Sequence, residues 1–210
     1  MAPRFPIILL AALAAASCAG NAAWAAAPKT YLLDPVHTQI VFFADHLGFS
    51  HGIGRIRIRE GWFQFDASDW SSARADIVID VASLDMGEPA WSEKVRSAQF
   101  LDTTRWPTAR YIGNAMEKKS ANTGILHGEL WLRGVRRNVD LEVTFNREGG
   151  DPYAFKKKAG FSARAQLDRF EFGMDTYRDV VGAAVELRIE VEGVLSRARP
   201  AEARSGAAEE

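Results

Sequence analysis

Histidine is the residue type in this sequence best suited to metal chemistry, and three of its four copies are close together. His37, His46 and His51 could supply imidazole nitrogens, which are common metal ligands. On one strand, however, His37 and His46 are separated by an odd number of residues and face opposite sides, and no HExxH motif is present. We predict no metal site. Two roles stay open for His37 and His46: hydrogen bonding at the mouth of a binding site, or a purely structural role.

Nucleophilic chemistry also lacks its usual signals. There is no GxSxG motif, and the single cysteine, Cys18, precedes the expected export cleavage site. Arg55, Arg57 and Arg59 share one face of a predicted strand. That stripe fits contact with a phosphate or an anionic membrane surface, but a solvated strand face is the commoner explanation. The sequence therefore predicts a protein that is not an enzyme.

The N-terminus has the pattern of an export signal. Arg4 precedes a short apolar run over residues 7–16, and Ala23-Trp24-Ala25 supplies a small-x-small cleavage site. We predict a cleavable signal peptide over residues 1–25, cut near 25–27. The apolar run is too short for a membrane anchor, and a lipoprotein at Cys18 is a weaker alternative because no Leu lies three places before it.

Charge and cysteine content narrow the class of protein further. The chain has 26 Lys and Arg against 27 Asp and Glu, a net charge of −1, which offers no basic surface for nucleic acid. One cysteine cannot form an internal disulfide, so stability must come from a packed core and a closed hydrogen-bond ladder. The segment 197–210 has no periodicity and is predicted to be disordered, which leaves one domain over residues 29–196.

Alternation of apolar and polar residues dominates that domain. Val185, Leu187 and Ile189 alternate with Glu186, Arg188 and other charged residues, as expected for a strand with one buried and one wet face. Such alternation favours antiparallel strands. Equally clear alternation occurs over 75–81, 139–145 and 161–167, and a short alternating stretch covers 55–58. Weaker predictions of strands cover 40–46 and 126–132, where apolar residues occupy both faces, and 108–115.

Two features interrupt the alternation. Trp91, Val95 and Ala98 follow Pro89 at helical spacing, which predicts a short helix over residues 89–98. A change of parity after Gly61 predicts a β-bulge. About eight strands without a disulfide must hide their edges, and closure into a barrel does so while leaving room for one small ligand. A two-sheet sandwich remains the alternative on this pattern.

A series of segments, in the right order, resembles the YceI-like family. They are YLLDPVHT with IVF and HLGFS (31–50), GWFQFD (61–66), RSAQFLD with WP (96–107), GELWLRGV (128–135), GFSA with RFEFGM (160–174) and VEGV (191–194). The segment 84–95 departs from the family pattern, because it lacks an Arg-Asp pair and a histidine and carries Trp91 instead. We expect the ligand or its headgroup to differ if this helix covers the cavity mouth.

The resemblance implies a fold and a function. It implies an eight-stranded antiparallel lipocalin-like β-barrel with one short helical insertion, whose hydrophobic tunnel holds a polyisoprenoid such as an isoprenoid quinone or a prenyl phosphate. It also implies a periplasmic location and no cofactor other than bound lipid. Peripheral membrane contact and a dimer stay open. The alternative is a filled β-barrel without lipid, acting as a structural or stress-related interaction module.

A long apolar ligand needs a groove of aromatic and branched aliphatic side chains with a few polar groups at its mouth. The sequence supplies 12 Phe, 6 Trp and 4 Tyr for such a groove. Our predicted ligand-binding residues are Phe42, Phe43, His46, Phe49, Phe63, Phe65, Ile77, Ile79, Phe100, Tyr111, Phe161 and Phe172.

Overall fold

The fold is known from a computed structural model that describes residues 27–197. The predicted signal peptide and nearly all of the predicted tail lie outside these residues. Within them, no helix has the length and apolar character needed to cross a membrane. The secondary structure consists of the strands β1 Lys29–Leu33, β2 Gln39–His46, β3 Ser50–Phe65, β4 Arg74–Asp85, β5 Thr108–Lys118, β6 Thr123–Leu132, β7 Val135–Asn138, β8 Leu141–Asp151, β9 Lys156–Asp168 and β10 Val181–Ser196, the helix α1 Pro89–Arg96, and 3₁₀ turns at Trp70–Ser72 and Arg169–Phe172.

The strands form one closed antiparallel ring. Its order is β10, β2, β3, β4, β5, β6, β8 and β9, and β9 pairs back to β10 along most of its length. β1 continues the position of β2 between β10 and β3, and β7 pairs with β6 beyond the end of β8. Ring closure removes the open edges of a sheet. The predicted eight-stranded antiparallel barrel is confirmed, and β9–β10 pairing rules out the two-sheet sandwich.

The strand predicted over 139–145 differs in its start. Val139 and Asp140 lie in a break between β7 and β8, although Val139 is buried and its side chain faces inward. The inward-facing apolar residues continue across the break. Alternation therefore identifies the buried face but does not reveal where the strand pairing is interrupted.

The predicted bulge is present beside Gly61. The pairing of β3 with β4 shifts between Ile58 and Glu60, directly before that glycine. A Cβ at position 61 would lie 2.8 Å from the carbonyl oxygen of Asp76, so the two strands approach too closely for a larger residue. Before the bulge the inward-facing residues of β3 have even numbers, such as Ile58, and after it they have odd numbers, such as Phe63. This is the change of parity seen in the sequence.

Helix α1 begins as predicted and ends two residues earlier. The carboxylate of Glu88 accepts a hydrogen bond from the backbone N–H of Trp91 (2.8 Å), and Pro89 occupies the first turn, where its missing N–H costs nothing. Ser97 then adopts an extended conformation and its hydroxyl donates to the carbonyl of Lys94 (2.7 Å). Because Ser97 is extended and caps the carbonyl of Lys94, the helix ends at Arg96 and Ala98 lies outside it.

The two ends of the barrel are packed differently. We call the end with the loops 66–73, 119–122 and 152–155 the closed end, and the end with the hairpin turn 47–49, helix α1 and the loop 173–180 the open end. At the closed end, six aromatic rings contact one another with centroids 5.0–6.3 Å apart. They belong to Tyr31, Phe63, Phe65, Trp70, Phe145 and Phe161, and we call this set the aromatic plug.

Lys158 joins several strands on the outer face near the closed end. Its ammonium lies 3.0 Å from Glu192, 3.1 Å from Asp151 and 3.6 Å from Asp34. Hydrogen bonds from the backbone N–H groups of Ala154 and Tyr153, and then from Lys158, lower the pKa of Asp151 to about 2. The ionised carboxylate of Asp151 therefore stabilises both the backbone of the β8–β9 turn and the position of Lys158 on β9.

We expect the Asp151 carboxylate to make the stability of the barrel pH-dependent in acid. A carboxyl group whose pKa is lower in the folded state contributes stability above its unfolded value of 3.8, and this contribution disappears as pH falls through about 2. Asp151→Asn should remove the part of the acid-induced loss of stability that comes from protonation of this carboxylate. Urea unfolding at a series of pH values from about 5 to 2 gives the free energy of unfolding as a function of pH. If its slope against pH is the same in the variant as in the wild type, the assignment to Asp151 is wrong.

Candidate functional site

The open half of the barrel encloses a cavity of about 450 Å³. Pockets for small organic ligands are usually about 300–1,000 Å³. Aliphatic residues on most strands of the ring form its wall, and the aromatic plug lies at the closed end beyond it. The main wall residues are Ile40, Ile56, Ile58, Ile77, Ile79, Val81, Leu130, Leu132, Leu141, Ala163, Leu167, Val185, Leu187, Ile189 and Val191.

Seven of the twelve predicted ligand-binding residues line this cavity. They are Phe42, His46, Ile77, Ile79, Phe100, Tyr111 and Phe172. Phe42 is inward-facing on β2, and its ring occupies the space beside Gly54, where a Cβ would lie 2.2 Å from it. A glycine on the neighbouring strand thus allows the phenylalanine to fold against the wall and leave the centre of the barrel open.

The other five predicted residues lie elsewhere. Phe63, Phe65 and Phe161 face inward but belong to the aromatic plug. Phe43 faces outward, next to Phe42, and the guanidinium of Arg188 lies 4.6 Å from its ring centroid. Phe49 is 87% exposed at the tip of the β2–β3 hairpin.

Sequence reasoning missed most of the aliphatic wall and part of the mouth. The β10 residues Val185, Leu187 and Ile189 all line the cavity, and their alternation is the clearest in the sequence. Met86, Trp91 and other residues of the segment 84–95 line its mouth. The departure of this segment from the family pattern was the signal that could have placed Trp91 at the site.

Two polar groups deep in the cavity wall are satisfied by the barrel itself. The hydroxyl of Tyr111 lies 3.2 Å from the carbonyl oxygen of Leu126 and 3.1 Å from that of Val139, and burial raises its pKa. Thr38 donates its hydroxyl to the carbonyl of Glu192 (3.2 Å). A ligand chain in this region therefore meets hydrocarbon, with the polar atoms of these two residues turned to the wall.

The mouth of the cavity has a different chemistry. Lys94 on α1 donates to the hydroxyl of Tyr177 (2.8 Å), and this hydrogen bond lowers the pKa of that phenol. Asp45 and His46 lie across the mouth on β2, and the ring of His46 meets that of Trp91 edge to face, with centroids 6.1 Å apart. This arrangement offers hydrogen-bond donors and acceptors to the polar end of a ligand whose apolar part lies in the cavity.

Arg169 holds the loop that carries Tyr177. Its buried guanidinium donates to five backbone carbonyls, and burial lowers its pKa. The acceptors are the carbonyl oxygens of Met174, Thr176, Tyr177, Val181 and Gly182. Since the donors are all directed to the backbone, Arg169 shapes the mouth rather than presenting its charge to a ligand.

Helix α1 is fastened to the barrel beside this mouth. The guanidinium of Arg96 donates to the carbonyl of Leu84 at the end of β4 (2.7 Å). The buried hydroxyl of Ser92 accepts from the backbone N–H of Met86 (2.9 Å) and donates to the carbonyl of Glu88 (2.9 Å). These bonds fix α1, and with it Trp91 and Lys94, over the cavity.

The histidines do not gather at one place. His37 contacts Asp34 (2.7 Å) in the turn between β1 and β2, whereas His46 lies at the mouth. Among residues 27–197, one group could supply three metal-ligand atoms, formed by Asp34, His37 and Glu192. The ammonium of Lys158 contacts both carboxylates of this group, at the place where a cation would neutralise them.

The fold and the cavity define a class of protein: a closed antiparallel β-barrel that can hold an apolar ligand. The sequence profile of the YceI-like domain matches residues 31–193, and the chain belongs to this family. It is 31% identical to the protein YceI of Shigella flexneri over 161 residues, which cover 77% of this chain and 83% of that protein.

Solved structures with this fold are more distant in sequence. BcnA of Burkholderia cenocepacia has a TM-score of 0.67 at 18% identity, and the match covers 76% of this chain and 98% of BcnA. A polyisoprenoid binding domain from Saccharophagus degradans, described as implicated in plant cell wall breakdown, has a TM-score of 0.55 at 13% identity, covering 79% and 98% of the two chains. These similarities show the shared fold.

Proposed function

We propose that this protein binds an isoprenoid lipid in the barrel cavity and acts as its carrier or store in the periplasm. The observation that carries the proposal is the cavity itself: about 450 Å³ enclosed by aliphatic walls, with the available polar groups at one end. Burying a flexible branched hydrocarbon yields about 25 cal/mol per Å² of apolar surface, less the cost of ordering the chain. Binding of this kind needs no bond chemistry.

The family and one structural relative support an isoprenoid rather than another apolar ligand. The related domain from Saccharophagus degradans is described as polyisoprenoid binding. The hollow open half favours a carrier over a filled interaction module, because the aromatic plug fills only the closed end.

The mouth suits a hydrogen-bonding headgroup. Lys94, Tyr177 and His46 can donate to the carbonyl oxygens of a quinone or to the oxygens of a phosphate. A quinone and a prenyl phosphate are therefore both candidates. The export signal pattern at residues 1–25 supports delivery of the protein to the periplasm.

Protein purified from a periplasmic fraction tests this proposal. We expect native mass spectrometry to show a bound lipid, and lipid extraction to identify it as an isoprenoid. Ala163→Phe on β9 and Ala109→Phe on β5 each place a ring inside the cavity, and both should abolish lipid binding. Because residues alternate along β9, Arg164→Phe puts the same ring on the outer face and serves as the matched control.

Three results would contradict the proposal. The first is wild-type protein that carries no lipid and does not bind a prenyl quinone or a prenyl phosphate added in detergent. The second is full lipid binding by both cavity variants in a folded state. The third is recovery of the protein from the cytoplasmic fraction with its residues 1–25 intact, which would overturn the periplasmic location alone.

A further inference from the structure

The open end of the barrel carries exposed apolar side chains beside the cavity mouth. At the tip of the β2–β3 hairpin, Phe49 is 87% and Leu47 is 50% exposed. Trp91 on the neighbouring helix α1 is 45% exposed and also lines the cavity. We call Leu47, Phe49 and Trp91 the apolar rim. The rim is continuous with the cavity wall because Trp91 belongs to both.

The local structure of the hairpin tip does not explain its residues. Leu47 and Gly48 both have positive φ, 56° and 72°, as in the tight hairpin turns that favour Asn, Asp and Gly. A leucine is unfavourable in this conformation. It is nevertheless present, and half of its surface stays exposed. An apolar side chain that costs stability in the turn indicates a contact made outside the barrel.

The tip is also held in a fixed position. The backbone N–H of Leu47 donates to the carbonyl of Val180 (2.9 Å), which directly precedes the neighbouring strand β10, and the N–H of Gly48 donates to the carboxylate of Asp45 (3.1 Å). Leu47 and Phe49 are therefore presented on a rigid turn and do not need to be ordered when they meet a partner. This lowers the entropic cost of contact.

We propose that the apolar rim inserts into the surface of a lipid bilayer, so that the cavity mouth faces the membrane while ligand is exchanged. This inference rests on the proposed function, since an isoprenoid lipid is itself dissolved in the bilayer. Phe, Leu and Trp are the side chains that bury at the interface of membrane-bound segments. Charges of both signs surround the rim, such as Asp45 and Lys94. This fits the surface of a zwitterionic lipid, which has no net charge.

The closed end provides a natural comparison. Tyr153 and Phe155 are 91% and 92% exposed in the β8–β9 turn, but the aromatic plug separates that end from the cavity. If exposure alone caused adhesion to lipid, these two rings would adhere at least as well as the rim. The proposal requires that the open end does so and that the closed end contributes little.

Flotation of the processed protein, purified from the periplasmic fraction without residues 1–25, with phosphatidylcholine vesicles tests the inference. We expect the wild-type protein to bind, with little change when salt is raised, because apolar insertion is not screened. The double variant Leu47→Asn/Phe49→Ser should bind at least about 10- to 100-fold more weakly, since loss of the Phe49 side chain alone predicts that much. The matched variant Tyr153→Ser/Phe155→Ser should bind like the wild type. Both variants change exposed turn residues and should fold normally.

Transfer of lipid separates this inference from the proposed function. With solanesol, a long isoprenoid alcohol, the rim variant should take up lipid slowly from the vesicles and normally from detergent micelles. Absence of vesicle binding by the wild type, equal binding by the rim variant, or an equal loss in the closed-end variant would each overturn membrane docking. Failure of the wild type to bind solanesol or any other prenyl lipid from micelles would instead overturn the proposed function.

Discussion

Phe65→Ala is expected to lower the free energy of unfolding by about 3–5 kcal/mol, the usual cost of removing a fully buried Phe ring. Phe65 is 1% exposed at the centre of the aromatic plug. Its ring centroid lies 5.0 Å from those of Phe145 and Phe161 and 5.3 Å from that of Trp70. Rings of the plug come from four strands and from the Trp70–Ser72 turn, so the hole left by the missing ring cannot collapse easily.

Phe42→Ala is the matched control in the open half. Phe42 is also buried, on the adjoining strand β2, but one side of its ring faces the cavity. That side has no protein atoms to lose, so we expect a loss of about 1.5–3 kcal/mol, the transfer value of the side chain without a further term for a new cavity. Urea unfolding followed by far-UV circular dichroism measures both. Equal losses in lipid-free protein would show that the two halves are packed alike.

The contrast between the plug and the cavity also shows how far the sequence could predict the site. Alternation correctly places Phe63, Phe161, Ile77 and Ile79 on the inward face. It does not give the height of a residue along the barrel axis, which depends on strand stagger and on the Gly61 bulge. Ile77 and Ile79 therefore line the cavity, whereas Phe63 and Phe161 fill the closed end.

The barrel itself was predictable because its cause is local. The alternation of apolar and charged residues in β10 predicts one buried and one exposed face. Closure of the sheet into a barrel then follows from the need to hide its edges. The mouth was not predictable in the same way. Lys94 and Tyr177 meet although 83 residues separate them, since Arg96 positions the helix that carries Lys94 and Arg169 positions the loop that carries Tyr177. No period in the sequence reports contacts of this kind.

Arg169→Met is the second substitution for which we expect a large effect, a loss of about 3–5 kcal/mol in the free energy of unfolding. The variant leaves backbone carbonyls of the segment 174–182 without their donor, including those of Val181 (2.8 Å) and Gly182 (2.9 Å). Each buried acceptor that stays unsatisfied costs about 1–3 kcal/mol, and water that enters at the mouth offsets part of the sum. Arg169→Lys should recover only part of the loss, because an ammonium cannot reproduce the planar fan of donors.

A neighbouring arginine separates this role from a general effect of charge. Arg178 lies on the same loop, exposed, with its guanidinium 4.2 Å from the ring centroid of Phe170, and Arg178→Met should cost less than about 1 kcal/mol. Since Arg169 positions the loop that carries Tyr177, its loss should also weaken lipid binding at temperatures where the variant is still folded. Arg169→Met with wild-type stability would show that the loop keeps its conformation without the guanidinium, and that the mouth of the cavity is built by the strands alone.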